Sequence, residues 1–155
     1  MSLELATSHL AELGHRVGAE LAFDNNGVCA IDYGDRQEHT LVFYHISQTD
    51  ALLLISPVAE VPEDAPASFH QKILRLNVQA VARFAGALSL NDEGNNVVFV
   101  GRFLLKESSY EQFEAFLEPF VNAIEELKTV LGSDEFEKGA GDSPPEFEPR
   151  FGIRV

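Results

Sequence analysis

Apolar residues occupy both odd and even positions in three short segments, Val28–Tyr33, Leu41–Ile46 and Ala51–Ser56. A strand with one solvated face alternates apolar and polar residues, and these segments do not. Turn-forming residues separate them, so the sequence predicts an antiparallel meander of three strands. Both faces of the sheet are expected to need cover. A second face of about five buried Leu, Val or Phe side chains is worth on the order of 10 kcal/mol.

Helical spacing of apolar residues appears in three other segments. Spacings of three and four predict amphipathic helices over residues 2–17 and Ser68–Ala85. A third helix is predicted over 108–131, with Ser108 or Ser109 as its N-cap, because Glu or Gln follows each serine in the position of a capping box. The central helix is apolar over much of its circumference, so we expect it to lie between two surfaces.

A second hairpin is predicted between the last two helices, from Ala87–Leu90 and Val97–Leu105. The element order is therefore α-βββ-α-ββ-α, which indicates an α+β fold with helices gathered on an antiparallel sheet. We interpret residues 1–131 as a single domain. Residues 132–155 form an acidic tail rich in Gly and Pro, which we interpret as disordered. Apolar residues in the tail could dock on the domain or on a partner: Phe147, Phe151, Ile153 and Val155.

The net charge of the 155-residue chain is −14. Residues 1–131 contribute most of it, with 8 Lys and Arg against 19 Asp and Glu. Binding to nucleic acid or to an anionic membrane is not expected, because both require clustered positive charge. The single Cys29 cannot form an intrachain disulfide, and the sequence shows neither a signal peptide nor an apolar run long enough to span a bilayer. A cytoplasmic location is therefore expected.

Catalytic and metal-binding chemistry has little support in the sequence. The five histidines do not combine with a third ligand at metal-binding spacing, and we expect them at the surface: His9, His15, His39, His45 and His70. Cys29 is expected to be a buried thiol. We predict no enzymatic activity, no cofactor and no metal. A small hydrolase or a metal protein with scattered ligands remains the alternative.

The outward face of the predicted sheet is the candidate binding site. Either of two alternating sets of residues on the second strand could form this outward face: Leu41, Phe43 and His45, or Val42, Tyr44 and Ile46. We predict that partner contacts come from the second set together with two residues of the third strand: Val42, Tyr44, Ile46, Leu53 and Ile55. The opposite assignment stays open, because a shift of one residue exchanges the two faces.

Four stretches of the chain resemble the Tir-chaperone (CesT/SycE-like, class I) family of type III secretion chaperones. Residues 20–33 resemble its pattern of apolar residues, Asp, a Gly turn and a Cys early in the next strand. Leu74-Arg-Leu-Asn77 resembles the end of the family's Leu-rich central helix. Gly86-Ala-Leu-Ser-Leu-Asn-Asp-Glu-Gly94 resembles the strand and turn that follow, and Phe113–Leu131 resembles the closing helix.

The resemblance implies a bacterial, cytoplasmic homodimer that binds the N-terminal chaperone-binding segment of an effector as extended chain. In such proteins the central helix and second hairpin form the dimer interface. The candidate interface residues here are Leu76, Val81, Phe84, Val98 and Val100. An alternative role found in some relatives is regulatory, the sequestration of a partner that controls secretion-gene transcription. The final Phe151-Gly-Ile-Arg-Val155 resembles the close of such regulatory chaperones.

Overall fold

The structure, a computed structural model, describes residues 2–133. In this part of the chain three helices and five strands follow in the predicted order. The helices are α1 (Ser2–Val17), α2 (Ala67–Phe84) and α3 (Tyr110–Leu131). The strands are β1 (Val28–Tyr33), β2 (His39–Ile46), β3 (Ala51–Glu60), β4 (Gly86–Leu90) and β5 (Asn96–Leu104). The predicted α+β class is confirmed. The predicted tail lies outside the described residues from position 134 onward.

The five strands form one sheet in the order β1-β2-β3-β5-β4, and every neighbouring pair is antiparallel. Helices α1 and α3 pack on one face of this sheet. The ring of Phe120 on α3 stacks on Phe99 of β5 at 4.7 Å between centroids, and Phe113 of α3 lies 6.3 Å from Phe43 of β2. Aromatic rings from α3 therefore supply much of the core under this face.

A glycine allows α3 to lie close to the sheet. A Cβ atom added at Gly101 of β5 would come within 2.5 Å of the ring of Phe120, which is too close for any side chain to be tolerated without movement. Gly101 pairs across the ladder with Leu54 of β3, a fully buried residue. The missing side chain on β5 thus provides the space that the Phe120 ring fills.

A capping box begins α3 and decides between the two predicted N-caps. The hydroxyl of Ser109 accepts a hydrogen bond from the backbone N–H of Gln112, and the Gln112 side chain accepts one from the N–H of Ser109. Two otherwise unsatisfied donors of the first turn are paired in this way. The helix continues through Pro119 without interruption.

Among the described residues, no helix is long and apolar enough to span a bilayer.

Candidate partner-binding surface

The face of the sheet opposite α1 and α3 carries a continuous row of apolar residues across all five strands. The cross-strand pairs are Ala30 with Val42, Val42 with Ile55, Ile55 with Val100, and Val100 with Ala87. Side chains of directly opposed residues on one face lie about 5 Å apart at Cβ and contact each other. The row is therefore a single apolar band that runs perpendicular to the strands. We call the surface that contains it the open face.

A second row of the open face runs beside the first. Tyr44 of β2 pairs with Val28 of β1 on one side and with Leu53 of β3 on the other. Leu53 in turn pairs with Arg102 of β5, an exposed residue. The apolar surface is thus broadest over β2 and β3, and a cation lies at its border on β5.

The five residues predicted to contact a partner all lie on the open face or at its end, and all are half-buried: Val42, Tyr44, Ile46, Leu53 and Ile55. The competing residues Leu41 and Phe43 are buried in the core under the helices. Helix packing accounts for this choice of face, because the large Phe43 ring meets Phe113 of α3. The role of the five residues in binding stays a prediction.

The two edges of the sheet differ in what covers them. At β4, the side-chain amide of Asn77 on α2 donates to the carbonyl of Leu88 at 3.1 Å and accepts from its N–H at 2.7 Å. These are the two backbone hydrogen bonds that a further strand would make to Leu88. The side chain of Asn77 therefore occupies this position along the β4 edge.

At the other edge, β1 is the outermost strand of the described sheet. The carbonyl of Gly27 accepts from the N–H of His45 in β2, so residues 28, 30 and 32 point their backbone groups away from β2. Asp24 satisfies both backbone groups of Val28. Its carboxylate accepts a hydrogen bond from the Val28 N–H at 2.9 Å, and its own backbone N–H donates to the Val28 carbonyl at 2.8 Å. The backbone groups of Ala30 and Asp32 remain available to an added strand.

Asp24 also holds the turn that leads into β1. Its carboxylate accepts hydrogen bonds from the backbone N–H groups of Val28 and Asn26, and these bonds lower the pKa of Asp24. They favour the charged form. The start of the free edge is therefore fixed by a carboxylate that stays ionised under ordinary conditions.

The predicted dimer residues lie in different environments. Leu76 and Phe84 of α2 are partly buried and pack on the core of their own chain. Val98 is buried and Val100 lies half-buried in the central row of the open face. Val81 is exposed. Of the five, only Val81 exposes most of its side chain to solvent, and the interface role of the set stays a prediction.

Helix α2 exposes an apolar stripe that the sequence analysis did not single out as a unit. Leu74, Val78 and Val81 are 67%, 62% and 57% exposed. Their spacings of four and three place them on one side of the helix, whereas Ile73 and Ala80 turn into the core. We call Leu74, Val78 and Val81 the α2 stripe. The signal was present in the sequence, but the helix is also apolar on its buried side.

The expectation that all histidines lie at the surface is wrong for His9. His9 is 3% exposed, with its ring stacked on Phe113 at 5.4 Å. Its Nε2 lies 3.0 Å from the hydroxyl of Ser108, and that hydroxyl donates to the carbonyl of Leu105. His9 must therefore donate from Nε2. Burial lowers the pKa of His9, against a smaller opposing effect of Glu111.

This arrangement does not resemble a nucleophile and its base, because the proton of Ser108 is held by a backbone carbonyl and not by His9. Within residues 2–133, no group of three His, Cys, Asp or Glu side chains is placed to hold a metal ion. Cys29 is buried, as predicted, and burial raises the pKa of its thiol. The open face is the feature of the described chain that calls for a functional explanation.

The chain is therefore an α+β domain with helices on one side of its sheet and an apolar face on the other. Residues 8–128 match the Tir chaperone protein (CesT) family. The chain therefore belongs to this family, which is one of chaperones and not an enzyme class, and the sequence-based assignment is confirmed. No curated protein matches the chain.

Chains of several solved protein complexes share this fold. A chain of the ExsC–ExsE complex is similar at 19% identity with a TM-score of 0.71, covering 83% of this chain and 95% of that one. A chain of the HopA1–SchA chaperone–effector complex has 17% identity and a TM-score of 0.67, covering 83% and 97%. A chain of the ExoU–SpcU complex from the type III secretion system of Pseudomonas aeruginosa has 15% identity and a TM-score of 0.58, covering 81% and 97%.

Proposed function

We propose that this protein is a cytoplasmic type III secretion chaperone that binds the N-terminal segment of an effector as extended chain and keeps it competent for export. The observation that carries the proposal is the open face, an apolar surface of five strands that the described helices leave uncovered. Membership of the chaperone family and the likeness to chaperone–effector complexes support it.

An extended segment suits this surface for geometric reasons. Its side chains alternate between two sides, so every second residue can lie beside Ala30 of β1 and extend the open face. Its backbone can pair with Ala30 and Asp32 at the free edge of β1, as in other cases of strand addition. Because Asn77 occupies the opposite edge at Leu88, we expect β1 to be the edge that accepts the segment.

The negative charge of the chain indicates which charge the bound segment should have. With a net charge of −14, the chaperone attracts segments in which basic residues alternate with apolar ones and repels acidic segments. Asp32, whose carboxylate accepts from the hydroxyl of Thr40 at 2.6 Å, is an exposed acid on the free strand. A basic side chain on the side of the bound segment that faces the open face would meet it there.

The protein is further proposed to be a homodimer that uses the α2 stripe. Three exposed branched side chains in line gain about 1.5–3 kcal/mol each when fully buried. A two-fold interface would bury the same stripe on both copies, because an isologous contact uses one patch twice. The stripe lies on α2, whereas the free edge lies on β1 at the far side of the sheet. Dimerisation would thus leave the edge accessible.

A regulatory role is the second candidate, in which the bound partner is a protein that controls transcription of secretion genes. The observation that favours it is the fold likeness to a chain of the ExsC–ExsE complex. Both functions use the same binding surface and differ only in the partner. Transcript levels of secretion genes in a deletion strain separate them, since a pure effector chaperone leaves those levels nearly unchanged.

Copurification with a coexpressed neighbouring effector tests the proposal. The double variant Tyr44→Asp/Ile46→Asp should lose the effector, because it places two charges on the apolar surface, and should remain dimeric. The matched control Ala115→Asp/Asn122→Asp adds two acidic residues at exposed positions of α3 and should retain the effector. If the open-face variant still copurifies with the effector, this surface is not the binding site.

A further inference from the structure

The last nine residues of the sequence have a strand pattern that the rest of the tail lacks. From position 147 to 155 every odd position is apolar and every even position is polar or glycine, reading Phe-Glu-Pro-Arg-Phe-Gly-Ile-Arg-Val. Residues 134–146 are rich in acidic residues, Gly and Pro and show no such alternation. A period of two places all the apolar side chains on one side of an extended chain.

We propose that residues 147–155 pair with the free edge of β1 when no effector is bound, with their apolar side continuing the open face. The segment would act as an internal ligand for the edge to which the effector is proposed to bind. The competition between this segment and an effector rests on the proposed function, whereas the contact between the segment and β1 does not.

The end of α3 places the segment within reach. In its last turns the Lys128 ammonium donates to the carbonyl of Glu38 at 2.8 Å and lies 2.9 Å from Nδ1 of His39. Glu38 and His39 follow the turn that leaves β1, so α3 ends beside the β1–β2 connection. The 13 residues from 134 to 146 span at most about 45 Å, and the six residues of β1 are about 20 Å long.

Backbone chemistry agrees with this pairing. Alternate residues of a strand point their backbone groups to opposite edges. If the segment runs parallel to β1 with the backbone groups of its even residues directed at that edge, its apolar odd side chains lie on the open face. Pro149 then points its missing N–H outward, where no hydrogen bond is needed. Gly152 then lies among the residues that face β1, and its N–H is free to donate. A proline on the outer edge also discourages the addition of another strand.

Charge complementarity supports the same contact. The nine residues hold two arginines, Arg150 and Arg154, against the single Glu148, in a chain of net charge −14. Three acids and one cation lie in β1 or flank it, Asp24, Asp32, Asp35 and Arg36, so the edge attracts the segment through its net negative charge. The segment therefore has the mixture of apolar and basic residues that the proposed partner would have. A tethered ligand of this kind acts at an effective concentration in the millimolar range.

Amide hydrogen exchange in the full chain, without effector, tests the proposal. The amides of Ala30 and Asp32 should exchange at least tenfold more slowly in the wild type than in Phe151→Ser/Ile153→Ser. The control Gly152→Ser changes the opposite side of the segment and should keep the protection within about twofold of the wild type. Unprotected amides in the wild type, or equal protection in the double variant, would overturn the proposal.

Addition of a synthetic effector N-terminal segment distinguishes this proposal from the proposed function. If the effector segment protects Ala30 and Asp32 but the tail substitutions change nothing, the edge binds effector and the internal contact is absent. If the tail protects these amides and the effector segment neither displaces it nor binds, the internal contact stands and the proposed effector site fails.

Discussion

Asn77 and Leu88 form a two-bond contact in which a side-chain amide takes the place of a neighbouring strand. The amide donates to the Leu88 carbonyl and accepts from the Leu88 N–H. Leu88 is itself buried, so without Asn77 these two backbone groups would lose their partner in a poorly solvated position. One residue of α2 thus occupies the outward backbone groups of Leu88 at the β4 edge of the sheet.

Replacement of Asn77 by alanine should destabilise the domain. A buried backbone donor left without a partner costs about 1–3 kcal/mol, and the free energy of unfolding should fall by that amount in urea denaturation. Gln71→Ala alters an exposed position on the same helix and should change the stability by less than about 0.5 kcal/mol. Equal effects of the two substitutions would show that the Asn77 contact contributes nothing to stability.

His9 should make stability depend on pH. Its pKa is lowered in the folded protein, so between that value and its unfolded value of about 6.5 the unfolded chain binds more protons. Stability then rises with pH in this window. The free energy of unfolding should be highest above about pH 6.5 and should decline as the pH falls below it.

The matched pair His9→Gln and His15→Gln isolates this effect, because His15 is exposed on the same helix. His9→Gln should flatten the decline in unfolding free energy between pH 7.5 and 5.5, whereas His15→Gln should retain the wild-type slope. Unfolding measured by fluorescence or circular dichroism at several pH values provides the comparison. A wild-type slope in the His9 variant would assign the pH dependence to other groups.

A charge in the α2 stripe should dissociate the proposed dimer. Val78→Asp places a carboxylate at the centre of the apolar contact, where it would lose hydration without gaining a partner. Sedimentation velocity should report a monomer for this variant and a dimer for Ser68→Asp, a substitution at an exposed position outside the stripe. A dimer that survives Val78→Asp would place the interface elsewhere, for example at Val98 and Val100.

The order of elements could be read from the sequence because period and turn chemistry agreed along the chain. The alternation of residues alone could not show which face of β2 turns towards the core. Leu41 with Phe43 and Val42 with Tyr44 are both apolar pairs, and only the contact of Phe43 with Phe113 on α3 decides which pair turns inward. Strands that are apolar on both faces lose the signal that alternation normally provides.

Two further features depended on tertiary contacts. His9 lies three residues after Ala6 on the buried stripe of α1. Its position in the helix therefore indicated burial, whereas its residue type favoured the surface. On α2, Leu76 and Leu74 have the same chemistry, yet Leu76 packs on the core and Leu74 is exposed. A helix that is apolar on two sides does not indicate which side faces its own sheet.

Photo-crosslinking tests most directly whether the open face holds the effector. A benzophenone-bearing amino acid is placed at Tyr44 on the open face and, as a control, at Glu118, an exposed residue of α3 on the other side of the sheet. Irradiation of the complex with an effector N-terminal segment should crosslink the segment at Tyr44 and not at Glu118. Crosslinks at Glu118 without any at Tyr44 would contradict the account.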